Sequence, residues 1–159
     1  GAFCRSRKVA TLVRHSAILN AVEPAHRDDL MARFETVTFA AGETLVKKDE
    51  ETSGLYLVAS GAVRVQGVDG DGDQILLAEL GPGEVVGEIS LVLRRPATAT
   101  VVAATPTVAL HLEREQFQAA IREHPTLLGE LYERATRRDE ETRSVVAQEA
   151  LDVDDVILV

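Results

Sequence analysis

Hydrophobic and polar positions change their period twice along the chain. Over residues 7–34 the apolar positions keep helical spacing: Val9, Leu12, Val13, Ala17 and Ile18, then Leu30, Met31 and Phe34. Glu23-Pro24 is a helix start with proline in the first turn, so two short helices joined near Asn20 are expected. From residue 35 to 113 the period drops to two. Thr36 to Phe39, Leu55 to Val58, Ala62 to Gln66, Ile75 to Leu80, Ala99 to Ala104 and Val108 to Leu112 are short β-rich runs separated by glycine-bearing turns. Val63 and Val65 alternate with Arg64 and Gln66, the pattern of a strand buried on one face. Such a series of short strands predicts a sandwich or barrel. Helical spacing returns at Glu115 to Glu123, stops at His124-Pro125, and resumes behind a candidate Thr126 cap to about Gln148. Leu127, Leu128, Leu131 and Ala135 mark the inner face of this last helix, and Arg137 to Arg143 is almost wholly charged. The acidic-apolar stretch Leu151 to Val159 has no assignment.

A length of 159 residues suits one domain with its own core. Residues 7–149 are read as that domain, 1–6 as a tail or cloning scar, and 150–159 as a C-terminal tail. The net charge is −9, and duplex DNA and anionic membranes both ask for a basic face, so neither is expected as a direct partner. A single cysteine, Cys4, can form no internal disulfide, which fits a cytoplasmic protein. No apolar run approaches the roughly 18 residues of a membrane span.

Candidate chemistry concentrates in Gly81 to Val101, GPGEVVGEISLVLRRPATATV. A short apolar strand ending in Val86 leads to Gly87-Glu88, a helical turn or two from Ile89 to Leu93, and a stop at Pro96. The first N–H groups of a helix lack backbone acceptors and attract an anion such as phosphate. Glu88 beside them can accept a hydroxyl, although a strand-to-helix connection with a solvated carboxylate has the same local pattern. Other candidates fail. Asp69 to Asp73 resembles the start of a calcium loop, but the sixth and twelfth positions are Gln74 and Leu80, so a polar hairpin turn is expected. His15, His26, His111 and His124 lack ligand spacing, and His111 alternates with Leu110 and Leu112 on the opposite strand face. Neither Ser60 nor Ser90 sits in a G-x-S-x-G frame, so no enzyme activity, resident cofactor or metal is expected.

Residues 12–145 resemble the cyclic nucleotide-binding domain, the module of catabolite activator proteins and protein kinase A regulatory subunits. The resemblance rests on Thr38 to Leu45, Ser53 to Gly61, Leu77 to Gly83, and Gly87 to Leu91 continuing through Pro96 to Thr100. It implies an α+β, mainly β fold: an eight-stranded antiparallel, jelly-roll-like β-roll flanked by N-terminal helices and a C-terminal helix pair. It also implies that the last helix moves on ligand binding or forms a dimer. By the same resemblance Glu88 matches the glutamate on the ribose 2′-hydroxyl. Val86, Gly87, Ile89 and Ser90 match the lining of the ribose and phosphate. Thr98 matches a position associated with guanine contact in some eukaryotic members, so both cAMP and cGMP stand as ligands.

The family places an arginine directly after the proline, where it forks onto the cyclic phosphate. Here Ala97 holds that position. A hydrogen bond to a charged group is worth about 1.5–3 kcal/mol, so its loss weakens binding about 10- to 150-fold. Arg94 or Arg95 either bends back to replace it or points into water. Tyr132 on the last helix either lids a bound base or packs. Leu128, Leu131, Ala135, Arg138, Thr142 and Val145 approximate a heptad seam, compatible with a weak homodimer or with a solvated helix. Two functions follow: a regulatory module that relays cyclic nucleotide binding through its last helix to a fused output domain or protein partner, or a nucleotide-independent protein-interaction or dimerisation domain on the same fold.

Overall fold

The computed structural model describes residues 22–158. The first of the two expected helices, before Asn20, lies with Cys4 and His15 outside the described residues. Helix α1, Pro24–Ala32, begins on its proline and buries Leu30 and Met31. Eight strands follow: β1 Glu35–Phe39, β2 Thr44–Val46, β3 Gly54–Ser60, β4 Val63–Val68, β5 Gln74–Leu80, β6 Val85–Val86, β7 Thr100–Ala103 and β8 Thr107–Glu113. A six-residue helix, α2 Glu88–Leu93, interrupts them between β6 and β7. Helices α3, Arg114–Glu123, and α4, Pro125–Leu158, close the chain.

All strand pairs are antiparallel and form two four-stranded sheets, ordered β1-β8-β3-β6 and β2-β7-β4-β5. Apart from the β4–β5 hairpin, consecutive strands alternate between the sheets, so the chain rolls up as a mainly β fold with flanking helices, as expected. The side-chain period explains its layers. On β3, Leu55 and Leu57 face the helices with Val85, Leu110, Leu112, Phe117, Leu127 and Leu131. The alternating Tyr56 and Val58 face the roll interior with Val46, Val63, Val86, Ala97 and Val101. Both faces of β3 are covered, which is why its apolar run is unbroken while β4 alternates.

Three local details differ from the periodicity. Strand β2 is only three residues long and was hidden in a turn-like stretch. Helix α4 starts at Pro125, so Thr126 lies within its first turn rather than capping it; the fixed φ of proline suits the first helical position. The same helix runs beyond Gln148 to Leu158. Asp69 to Asp73 forms the β4–β5 turn, where Asp69 Oδ1 accepts the N–H groups of Asp71 and Asp73, each at 2.9 Å.

Candidate functional site

Strand β6 delivers the site. Val85 points to the helical layer and Val86 into the roll, and the chain then turns sharply at Gly87. Gly87 has φ +92°, a left-handed conformation, and a Cβ there would meet the Gly54 carbonyl oxygen at 2.8 Å. Only glycine meets both demands, and the turn places Glu88 at the start of α2 with 2% exposure.

Glu88 lines a cavity of about 140 Å³ at the mouth of the roll. Val86, Gly87, Ile89, Ser90, Ala97 and Thr98 line it as well, so seven of the nine residues singled out in the sequence share one wall system. The first-turn N–H groups of α2, including those of Ile89 and Ser90, lack intrahelical acceptors. The Ser90 hydroxyl donates to the Arg95 carbonyl at 2.5 Å and so locks the end of α2. Ala97 is 6% exposed, with its backbone bonded to Asp49 and Glu50.

Arg95 and Tyr132 do not join this group. Both line a separate groove bounded by α2, α3 and α4. Arg94 adopts φ +53° at the end of α2, which turns the chain so that the Arg95 guanidinium meets Asp139 on α4. Arg95 therefore clasps a helix instead of entering the cavity. Tyr132 is 54% exposed.

Thr52 and Arg138 on the cavity wall were missed in the sequence, as was Glu141. Thr52 is buried and its hydroxyl has no hydrogen-bond partner. Arg138 comes from α4, fifty positions after Glu88, and donates from Nη1 to Glu88 Oε1 at 2.6 Å and to the Val85 carbonyl. Its Nη2 donates to Glu84 at 2.8 Å, and Arg134 reaches the same carboxylate at 3.4 Å. The signal for Arg138 was present as helical spacing. Leu127, Leu131 and Ala135 are fully buried, and Arg138 continues their stripe. Leu131, Ala135 and Arg138 of the expected heptad seam are thus used within the chain, and Leu128 is left 40% exposed. Burial pushes the Glu88 carboxyl above the usual carboxylate range, and the Arg138 charge pulls the other way.

The three described histidines make structural contacts. His111 stacks on Tyr56 at 4.5 Å and meets the Ser53 hydroxyl at 3.1 Å, while His26 lies against His124 at 5.6 Å. Among the described residues no group of three or more His, Cys, Asp or Glu side chains could hold a metal ion. Nor is any helix among them long and apolar enough to cross a membrane.

A sharp glycine turn, a buried glutamate and a short helix between strands of an antiparallel roll form one continuous cassette. The family model of the cyclic nucleotide-binding domain matches residues 36–124, which contain it. The chain belongs to the cyclic nucleotide-binding domain family. It is similar to the cyclic AMP receptor protein of Thermus thermophilus, 33% identical over 126 residues, covering 79% of this chain and 58% of that protein. It is also similar to the cAMP-dependent protein kinase type II regulatory subunit of Drosophila melanogaster, 28% identical over 69% of this chain and 29% of that protein. Among solved structures, the Thermus thermophilus catabolite activator protein superposes with a TM-score of 0.74 at 31% identity, covering 85% of this chain and 63% of that one. The chain therefore spans about three-fifths or less of the length of these relatives.

Proposed function

We propose that this domain is a sensor for a cyclic nucleotide and that α4 relays its occupancy. In this reading Glu88 accepts the ribose 2′-hydroxyl, and the backbone N–H groups around Ile89 and Ser90 face the phosphate. The observation that carries it is a carboxylate only 2% exposed on the wall of a cavity, set by a glycine turn that no other residue fits.

The relay follows from who builds the wall. Arg138 and Glu141 of α4 contribute to it, so a ligand that fills the cavity changes the contacts of that helix. A ligand biases a two-state element by its different affinity for the two states. The chain then acts by binding rather than catalysis, and its output passes to a fused domain or a partner protein. Ala97 supports the second reading, a roll that has lost its nucleotide and serves protein interaction.

Calorimetric titration with cAMP and cGMP, for the parent chain and Ala97→Arg, separates the two. The sensor reading expects the parent to bind and the arginine variant to bind more tightly, by about 10- to 150-fold. If neither chain binds either nucleotide, the interaction reading replaces it.

A further inference from the structure

The cavity has an arithmetic problem of charge. Its lining holds two carboxylates, Glu88 and Glu141, and a methyl group at Ala97. Among the described lining residues, Arg138 is the one cation. An anionic ligand placed beside Glu88 needs a positive partner, and among the described lining residues the strand-and-cassette framework supplies none. We propose that Arg138, on α4, is the residue that binds the ligand's phosphate. The proposal rests on the reading that Glu88 receives the ribose.

The present geometry shows how the exchange works. Arg138 is held at two ends. Nη1 serves Glu88 and the Val85 carbonyl, and Nη2 serves Glu84. Ribose hydroxyls entering the cavity give Glu88 replacement donors. That frees Nη1 of Arg138 for a phosphate oxygen, while Nη2 stays on Glu84. Each buried charge then keeps a partner before and after the exchange, which matters because an unpaired buried charge is heavily penalised. The guanidinium is also suited to the task, since one of its N–H groups makes a short charge-assisted bond to a phosphate oxygen while the other keeps its carboxylate.

The cavity volume requires the same movement. Small-molecule sites usually offer about 300–1,000 Å³. This one offers about 140 Å³ with Arg138 folded onto Glu88. The cassette backbone is tied into the sheets, whereas Arg138 is a long side chain from a helix clasped by ion pairs from Glu84, Glu88 and Arg95. Arg138 is the part of the wall that can swing. A phosphate-bearing ligand gains a new ion pair from that swing, and an uncharged nucleoside gains none. Arg138 therefore sets both the preference for an anionic ligand and its coupling to α4.

The test compares cAMP with uncharged adenosine by calorimetry, using the parent, Arg138→Gln, Arg138→Lys, Ala97→Arg and the Ala97→Arg/Arg138→Gln double variant. A cooperative urea transition establishes that each is folded. Arg138→Gln is expected to lose about 10- to 150-fold in cAMP affinity while adenosine affinity does not fall. Arg138→Lys is expected to lose less, and Ala97→Arg to restore cAMP binding in the Arg138→Gln background. Arg138→Gln binding cAMP as tightly as the parent, or more tightly, overturns the proposal and leaves Arg138 as a stopper. If Ala97→Arg alone binds cAMP, the nucleotide reading survives and the role of Arg138 fails. If no variant binds either compound, both fail together.

Discussion

Replacing Arg138 with glutamine also has a consequence for stability that can be worked from the buried carboxylate it faces. Glu88 is 2% exposed and lies 2.6 Å from Arg138. Without the guanidinium, the chain must fold with a bare buried carboxylate or with a protonated one. The first costs several kcal/mol. The second is capped by the cost of protonation. From the ordinary value of 4.5 to pH 7 is two and a half units, about 3.4 kcal/mol at about 1.36 per unit. At pH 5.5 the same cap is about 1.4 kcal/mol. Both are ceilings, because burial already raises Glu88 in the parent.

Removing Arg138 raises the folded-state value of Glu88 further. The folded state then holds the proton more firmly than the unfolded state. The variant's stability is retained below the unfolded value of 4.5 and lost as pH rises through the folded one. The gap between parent and variant must therefore widen from pH 5.5 to pH 7. Urea unfolding at the two pH values reads it as a shift in midpoint at constant slope. With a slope of about 1–3 kcal/mol per molar, a loss of about 2–3 kcal/mol moves the midpoint by about 0.7–3 M at pH 7. The double variant Glu88→Gln/Arg138→Gln, which removes both charges, recovers most of the loss. No midpoint shift, or the same shift at both pH values, refutes the reasoning.

Two further outcomes are expected. Gly87→Ala forces a side chain into a left-handed turn, at about 1–2 kcal/mol, and against the Gly54 carbonyl 2.8 Å away, so its unfolding free energy in urea drops by at least that amount; an unchanged midpoint contradicts the geometry. The parent is expected to prefer cAMP over 2′-deoxy-cAMP by about 10- to 150-fold, the worth of a hydrogen bond to a charged acceptor, and Glu88→Gln to narrow the ratio to about tenfold or less; equal affinities in the parent would remove the ribose from Glu88.

Much of this architecture is readable in the residue pattern because burial imposes it one strand at a time. Val63 and Val65 alternate with polar residues because β4 covers one side of the roll, and Leu55 to Val58 do not because β3 is covered on both. Glu88 was legible because it follows Gly87, a position where φ and crowding leave no alternative. What escaped notice depends on long-range placement. Arg138 approaches Glu88 across fifty positions, and the charged run around it reads as a solvated face until Leu131 and Ala135 fix which side points inward. Thr52 sits in a loop with no period at all. Arg95 was read as either replacing the phosphate cation or pointing into water, and it does neither, because the left-handed Arg94 and the Ser90 hydroxyl bend the end of α2 toward Asp139.

The central claim is that occupancy of the Glu88 cavity is felt by α4. Hydrogen exchange of the whole chain, with and without saturating cAMP, tests it most directly. The account predicts greater protection across Glu84 to Ser90, where the ligand adds hydrogen bonds, together with altered exchange across Arg134 to Glu141, where Arg138 exchanges its bond with Glu88 for the ligand. Changes confined to the cassette, with α4 exchanging as before, would contradict it.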